Sequence, residues 1–227
     1  MSRNSILDLL KEHKFNHVFN PYFENCQKFD RPEAKQIRRE ILDAMIGHAA
    51  EIDIDSIWVG RDLGHRGGRR TGLALTDDVH FNKHLERWSL SPIRPTIGEM
   101  VSERTASVIW EVLARLEFPI FLWNVFPLHP FQPSDPFTNR SHTAQERRFG
   151  VRVLTELVTC LKPKRLVGIG NDAFIVLKTA FPGIPVYHAR HPSYGGQRDF
   201  VKTISKVYSL EGAPASPDLF SYSTSPA

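Results

Sequence analysis

Between Gly60 and Gly72 the chain carries five glycines and four arginines in thirteen residues, Gly60-Arg61-Asp62-Leu63-Gly64-His65-Arg66-Gly67-Gly68-Arg69-Arg70-Thr71-Gly72. Glycine lets backbone amides come close to a ligand, and arginine forks match phosphate oxygens. The run therefore reads as an anion-holding loop, with a solvated basic loop as the plain alternative. It lacks the Gly-Lys-Ser/Thr ending of a Walker A loop and the Gly-x-Gly-x-x-Gly order of a dinucleotide site. Further along stand Asn124, within Trp123-Asn124-Val125, and His188-Ala189-Arg190-His191-Pro192-Ser193. A carboxylate, a carboxamide and an imidazole together can move a proton, read donor and acceptor atoms, and stabilise a leaving anion. Each has a duller reading on its own: Asp62 as a helix cap, His129 and His188 as structural or surface side chains. His65, His80 and His84 offer imidazoles, but no compact set of three metal ligands follows, so no metal is expected.

The elements that must position these groups alternate. Asp30-Arg31-Pro32-Glu33 predicts a helix start, and apolar residues then recur at helical spacing over 32–49. Residues 55–60 predict a short buried strand. Thr96 with Glu99 predicts a capping box opening a helix through Leu116. Pro119 to Trp123 predicts the next strand. Four prolines in the loop 124–142 argue against helix or strand within it. Thr143 with Glu146 predicts a second capping box and a helix with Phe149, Val153, Leu154, Leu157, Val158 and Leu161 on one face. A strand at 165–169, a helix from Asn171 to Ala180, a strand at 184–188 and a helix over 197–209 complete the pattern. Such alternation predicts an α/β three-layer sandwich with a central four-stranded, mainly parallel sheet flanked by helices. In such sheets ligands bind outside the carboxyl ends of the strands, where Asp62, Asn124 and His191 fall. Residues 1–210 are expected to form one domain and 211–227 a flexible tail.

Composition narrows the classes. The 227 residues are 41% hydrophobic and 24% charged, with 29 basic against 25 acidic side chains and a net charge of +4. That excludes an acidic or disordered chain and is too mild to identify a nucleic-acid binder alone. Two cysteines, Cys26 and Cys160, cannot build a disulfide framework, an all-cysteine zinc site or a four-cysteine iron–sulfur cluster. No apolar run approaches the about 18 residues of a membrane helix, and the first residues read as a polar helix rather than a signal peptide. A soluble, cytoplasmic, nucleoid-associated protein is expected.

Taken in order, these loops resemble the uracil-DNA glycosylase superfamily over roughly residues 55–210. Gly60-Arg61-Asp62-Leu63-Gly64-His65, followed without a gap by Gly72-Leu73-Ala74-Leu75-Thr76, is similar to the water-activating motif Gly-Gln-Asp-Pro-Tyr-His and its downstream Gly-Leu-Ala-Phe-Ser. Trp123-Asn124 resembles the strand-end Asn that recognises uracil, and His191-Pro192-Ser193 the His-Pro-Ser motif. The resemblance implies a monomeric, cofactor-free glycosylase that removes uracil from single- or double-stranded DNA. Asp62 and His191 would be catalytic. Asn124, Gly64, His65, Leu75 and Phe81 would recognise the base. Arg61, Arg66, Arg69, Arg70, Ser193, Tyr194 and Arg198 would bind DNA. Gly64 stands where the family's methyl-excluding Tyr lies, and Leu75 where a Phe stacks on the base, so Phe81 or Phe126 becomes the expected stacking ring. Gly195 replaces the wedge leucine. Two alternatives stay open: another deaminated or mismatched base (hypoxanthine, xanthine or thymine), and a non-catalytic nucleic-acid-binding module.

Overall fold

A computed structural model of the chain describes residues 4–12, 14–193 and 195–210. In chain order its elements are α1 (Asn4–Glu12), β1 (Val18–Phe19), α2 (Ala34–Ala50), β2 (Ser56–Asp62), α3 (Gly68–Thr71), α4 (Phe81–Glu86), α5 (Arg104–Leu113), β3 (Ile120–Phe126), β4 (His129–Pro130), α6 (Ala144–Leu161), β5 (Arg165–Ile169), α7 (Asn171–Ala180), β6 (Val186–Ala189) and α8 (Gln197–Val207). β2, β3, β5 and β6 form one parallel sheet in the order β3-β2-β5-β6, as the alternation predicts.

The inner stretches of β2, β3 and β5 are apolar on both faces, because helices cover a parallel sheet on both sides. Ile57, Phe121 and Leu166 stand in register and pack with Ile41, Leu42, Met45, Val153 and Leu157 from α2 and α6. One residue on, Trp58, Leu122 and Val167 point the other way, onto Ile109, Val112 and Leu113 of α5 and Phe200 and Ile204 of α8. The result is helices, sheet, helices: three layers with a core on each side of the sheet. β2 pairs with β5 only from Ser56 to Val59, whereas it pairs with β3 as far as Asp62. The last two residues of β2, Arg61 and Asp62, therefore run on past the end of β5. No helix among the described residues is long and apolar enough to cross a membrane.

Three local expectations need correcting. Asp30 does not cap α2, which starts at Ala34; its carboxylate takes a bidentate pair from buried Arg38 and accepts from the Cys26 amide. Thr96 opens no helix. It bridges to Asp30, its hydroxyl donates to Asp78, and α5 begins only at Arg104. Gly98 at φ 74 lies where a first helical turn would need right-handed backbone. Thr143 and Glu146 do form a capping box, reinforced by Arg140, which holds both Glu146 carboxyl oxygens at 2.7 Å. Strand also enters the proline-rich loop: β3 runs to Phe126, and β4 pairs antiparallel with β1 through Pro130 at the end of a two-residue ladder, where a missing N–H is tolerated. The predicted tail, 211–227, lies outside the described residues.

Candidate active site

Beyond the carboxyl ends of the strands lies a cavity of about 700 Å³, whose walls include Asp62, Gly64, Leu75, Glu103, Asn139 and His191. Asp62 is the last residue of β2, on the stretch that outruns β5. Arg61 Nε donates to one of its carboxyl oxygens at 2.7 Å and His142 Nδ1 meets the other at 2.5 Å. The His142 ring is buried, and its Nε2 accepts from Arg147 Nε at 3.1 Å. With Nε2 occupied as an acceptor, the proton sits on Nδ1 and points at Asp62. Arg147 also holds Asp172 at 2.9 Å, and Asp172 Oδ2 lies 3.4 Å from His142 Nε2. Asp62 is thereby fixed in orientation from two sides.

His191 follows β6. Its Nδ1 accepts from the Ser193 backbone amide at 3.2 Å, with Ser193 Oγ 2.7 Å away. That contact leaves the proton on Nε2, the opposite tautomer to His142. Burial, then the nearby Arg61 charge, pushes the His191 pKa below the usual histidine range. The ring is a neutral hydrogen-bond donor at neutral pH.

Asn124 is fully buried within β3, rather than lying after the strand, and neither atom of its carboxamide has a partner among the described residues. Such atoms cost about 1–3 kcal/mol each when left unpaired, which marks a group awaiting a ligand. It does not itself line the cavity. A Cβ placed on Gly60 would lie 2.5 Å from Asn124 Oδ1 and 2.9 Å from Leu75 Cδ2, so Gly60 makes room for both side chains. Leu75 does line the cavity, and it holds φ 55, a left-handed backbone that a branched residue adopts only under strain.

The other expected site residues divide. Arg61, Arg66 and Arg198 are exposed, and Ser193 is bonded to His191. His65 sits half-buried beside the cavity, its amide donating to Asn139 at 2.9 Å. Tyr194 lies outside the described residues. Arg69 and Arg70 are corrections. Both are buried: Arg69 lies 4.0 Å from the Phe19 ring and bonds His129, while Arg70 lies 4.2 Å from the Phe29 ring and pairs with Asp78 at 2.6 Å. Neither can reach a phosphate. Phe81 is a second correction, being fully buried in the α2/α6 core, as is Phe126, whose ring packs against Phe15 and Phe149. No stacking ring comes from either. His129 and His84 are buried too, each pushed down to about 3 by burial with a neighbouring arginine, Arg69 or Arg87.

Sequence reasoning missed His142 and Glu103. His142 lies 80 residues from Asp62 in the proline-rich loop, and no local spacing links them. Glu103 borders the cavity with its carboxyl against Gly64 and Gly67; a Cβ on Gly64 would stand 3.2 Å from its Oε1. Burial, with Asp77 nearby, pushes its pKa up.

Comparison with protein-family models and with curated proteins found no match. Among solved structures, wild-type SMUG2 of Pedobacter heparinus is similar over 93% of this chain and 98% of that one, with a TM-score of 0.63 and 13% sequence identity. The chain shares the SMUG2 fold. On this fold Asp62 is the last residue of β2, Asn124 lies within the neighbouring β3, and His191 comes just after the edge strand β6. At this identity, the likeness to SMUG2 is one of fold.

Proposed function

We propose that the protein is a monofunctional DNA glycosylase that hydrolyses the N-glycosidic bond of uracil in DNA, leaving an abasic site. The observation that carries this reading is one cavity holding an oriented carboxylate, Asp62, and a neutral imidazole donor, His191. The fold shared with SMUG2, of the uracil-DNA glycosylase superfamily, supports it.

As the bond to C1′ lengthens, positive charge grows on the sugar and negative charge on the base. The Asp62 carboxylate, held by His142 and Arg61, stabilises the sugar cation and takes a proton from the attacking water. His191 donates its Nε2–H to O2 of the departing uracil. A neutral donor suits this step, because it leaves no buried cation once the base has gone. The Asn124 carboxamide can accept from N3–H and donate to O4, a pattern that cytosine presents with both polarities reversed. Because Leu75 stands beside Asn124 at the cavity wall, its side chain must swing aside when the base enters. The base itself must leave the helical stack, at a cost of a few kcal/mol that is least in single strands and mismatches. The exposed Arg61, Arg66 and Arg198 can hold flanking phosphates.

The deciding test is a uracil-containing oligonucleotide, single- and double-stranded, treated with the protein and then with alkali to break abasic sites. Strand breaks at the uracil position, lost in Asp62→Asn while binding persists, are expected. Binding without any abasic product, even at high protein concentration, would return the chain to a non-catalytic module.

A further inference from the structure

Behind Asp62, two side chains compete for one ring nitrogen. His142 Nε2 accepts from Arg147 Nε at 3.1 Å, and Asp172 Oδ2 stands 3.4 Å from the same nitrogen. That Asp172 oxygen is buried and has no hydrogen-bond partner among the described residues. Its sister oxygen takes the other arm of Arg147 at 2.9 Å. A buried carboxylate oxygen without a donor is costly, and an Nε2–H on His142 would satisfy it.

The ring therefore has two states. With Arg147 donating to Nε2, it is neutral, and its one proton, on Nδ1, meets Asp62. With Arg147 withdrawn, a second proton on Nε2 would meet Asp172, and the ring would be a cation between two carboxylates. Asp62 on β2 and Asp172 on α7 both draw that proton onto the ring, and Arg147 on α6 opposes it. Phe126 of β3 presents an uncharged ring, 6.2 Å away between centroids. Arg61 and Arg140 act on Asp62 itself.

The difference matters to Asp62. Beside a neutral donor, its carboxylate keeps its negative charge for the sugar cation and for the water proton. Beside an imidazolium, that charge is largely offset within one hydrogen bond, and the base is weaker.

We propose that Arg147 is a positioning residue for bond cleavage: by occupying His142 Nε2 it keeps the ring neutral, with its only proton on Nδ1, and leaves Asp62 a strong base. The inference rests on the glycosylase reading above. Arg147 acts on Asp62 only through His142. Its side chain is 47% exposed, so the plain alternative is a grip on a DNA phosphate.

Single-turnover cleavage of a uracil duplex, with protein in saturating excess, separates the two, because a lost phosphate contact does not slow the step at saturation. Arg147→Leu should cleave about tenfold more slowly at neutral pH, part of what a well-placed base supplies. Nitrogen-15 spectra of the histidine rings give the second readout. His142 should carry a proton on Nδ1 alone in the wild type and on both nitrogens in Arg147→Leu. Adding Asp172→Asn to Arg147→Leu removes the anion that favours the cation, and should restore much of the rate. Should Arg147→Leu melt early, Arg147→Gln takes its place with the same readouts. A full rate at saturation overturns the proposal, with weaker binding marking a phosphate contact. A slower rate with His142 still singly protonated, or no recovery in the double variant, also overturns it. All three leave the glycosylase reading standing. A wild-type protein that cleaves no uracil overturns that reading, and the proposal with it.

Discussion

Replacing Arg70 by Met separates an arginine that holds the fold from one that holds DNA. The guanidinium is 8% exposed and its partner Asp78 is fully buried, 2.6 Å away. Methionine keeps an apolar stem of similar length but takes the guanidinium off the Phe29 ring and leaves the Asp78 carboxylate without its main counter-charge. Breaking a buried pair in this way costs about 3–5 kcal/mol. Asp78 keeps the Thr96 hydroxyl at 2.9 Å, the Val101 amide at 3.1 Å and Arg94 at 3.6 Å, so the lower end of that range applies. At about 2–4 °C per kcal/mol for a chain of this size, the melting temperature should fall by about 6–12 °C. Thermal unfolding by circular dichroism measures that. The second readout is the dependence of DNA affinity on salt. Each phosphate contact contributes a slope of about 0.9 in log affinity against log salt, so Arg70→Met should leave the slope unchanged. The exposed Arg66→Ala should lower it while leaving the melting temperature in place. A slope reduced by about one unit in Arg70→Met, with normal melting, would refute the argument from burial.

Other outcomes follow from the site. Asn124→Asp should narrow the preference for uracil over cytosine, since a carboxylate loses the donor to O4; unchanged cleavage and an unchanged ratio would remove Asn124 as the base reader. His191→Ala should slow cleavage, and the defect should shrink on 5-fluorouracil, a better leaving group, more than the Asp62→Asn defect does; equal rescue of both would reject the division of labour. His84 and His129, both held near 3, bind fewer protons folded than unfolded, so the stability they supply is complete above the ordinary histidine pKa and drains away as pH falls towards about 3. Each adds a slope of about 1.4 kcal/mol per pH unit in that window, and His84→Gln should remove one such share from urea-unfolding free energies measured there.

The sheet was legible because buried parallel strands are short apolar runs between helical patterns, and their carboxyl ends single out Asp62, Asn124 and His191 without any contact being known. Thr96 and Thr143 show the limit of motif reading. Both begin the same four-residue signature, but Gly98 at φ 74 diverts the first and Arg140 clamps the second. The arginines show another limit. Nothing in the run Arg66 to Arg70 distinguishes the outward side chain from the two inward ones. The distinction is made by aromatic rings at Phe19, Phe29, Phe131 and Phe137, far apart in the chain, whose faces stabilise a guanidinium only after folding. Glu103 and His142 were invisible for the same reason: their importance lies in what they touch, and those contacts join distant segments.

The stretch of β2 beyond β5 sets how the crevice can change. Its depth comes from a mismatch in length between neighbouring strands, seven residues against five, and not from a hole in either core. Gly170, at φ 91, turns the chain away at the point where β5 would otherwise continue. Two more residues of strand there would bring β5 level with Asp62. Conversely, substitutions in the loops that roof the ledge can reshape what fits on it at little cost to folding. Substrate range and fold stability are therefore written into different parts of the chain, and selection can act on one while barely disturbing the other.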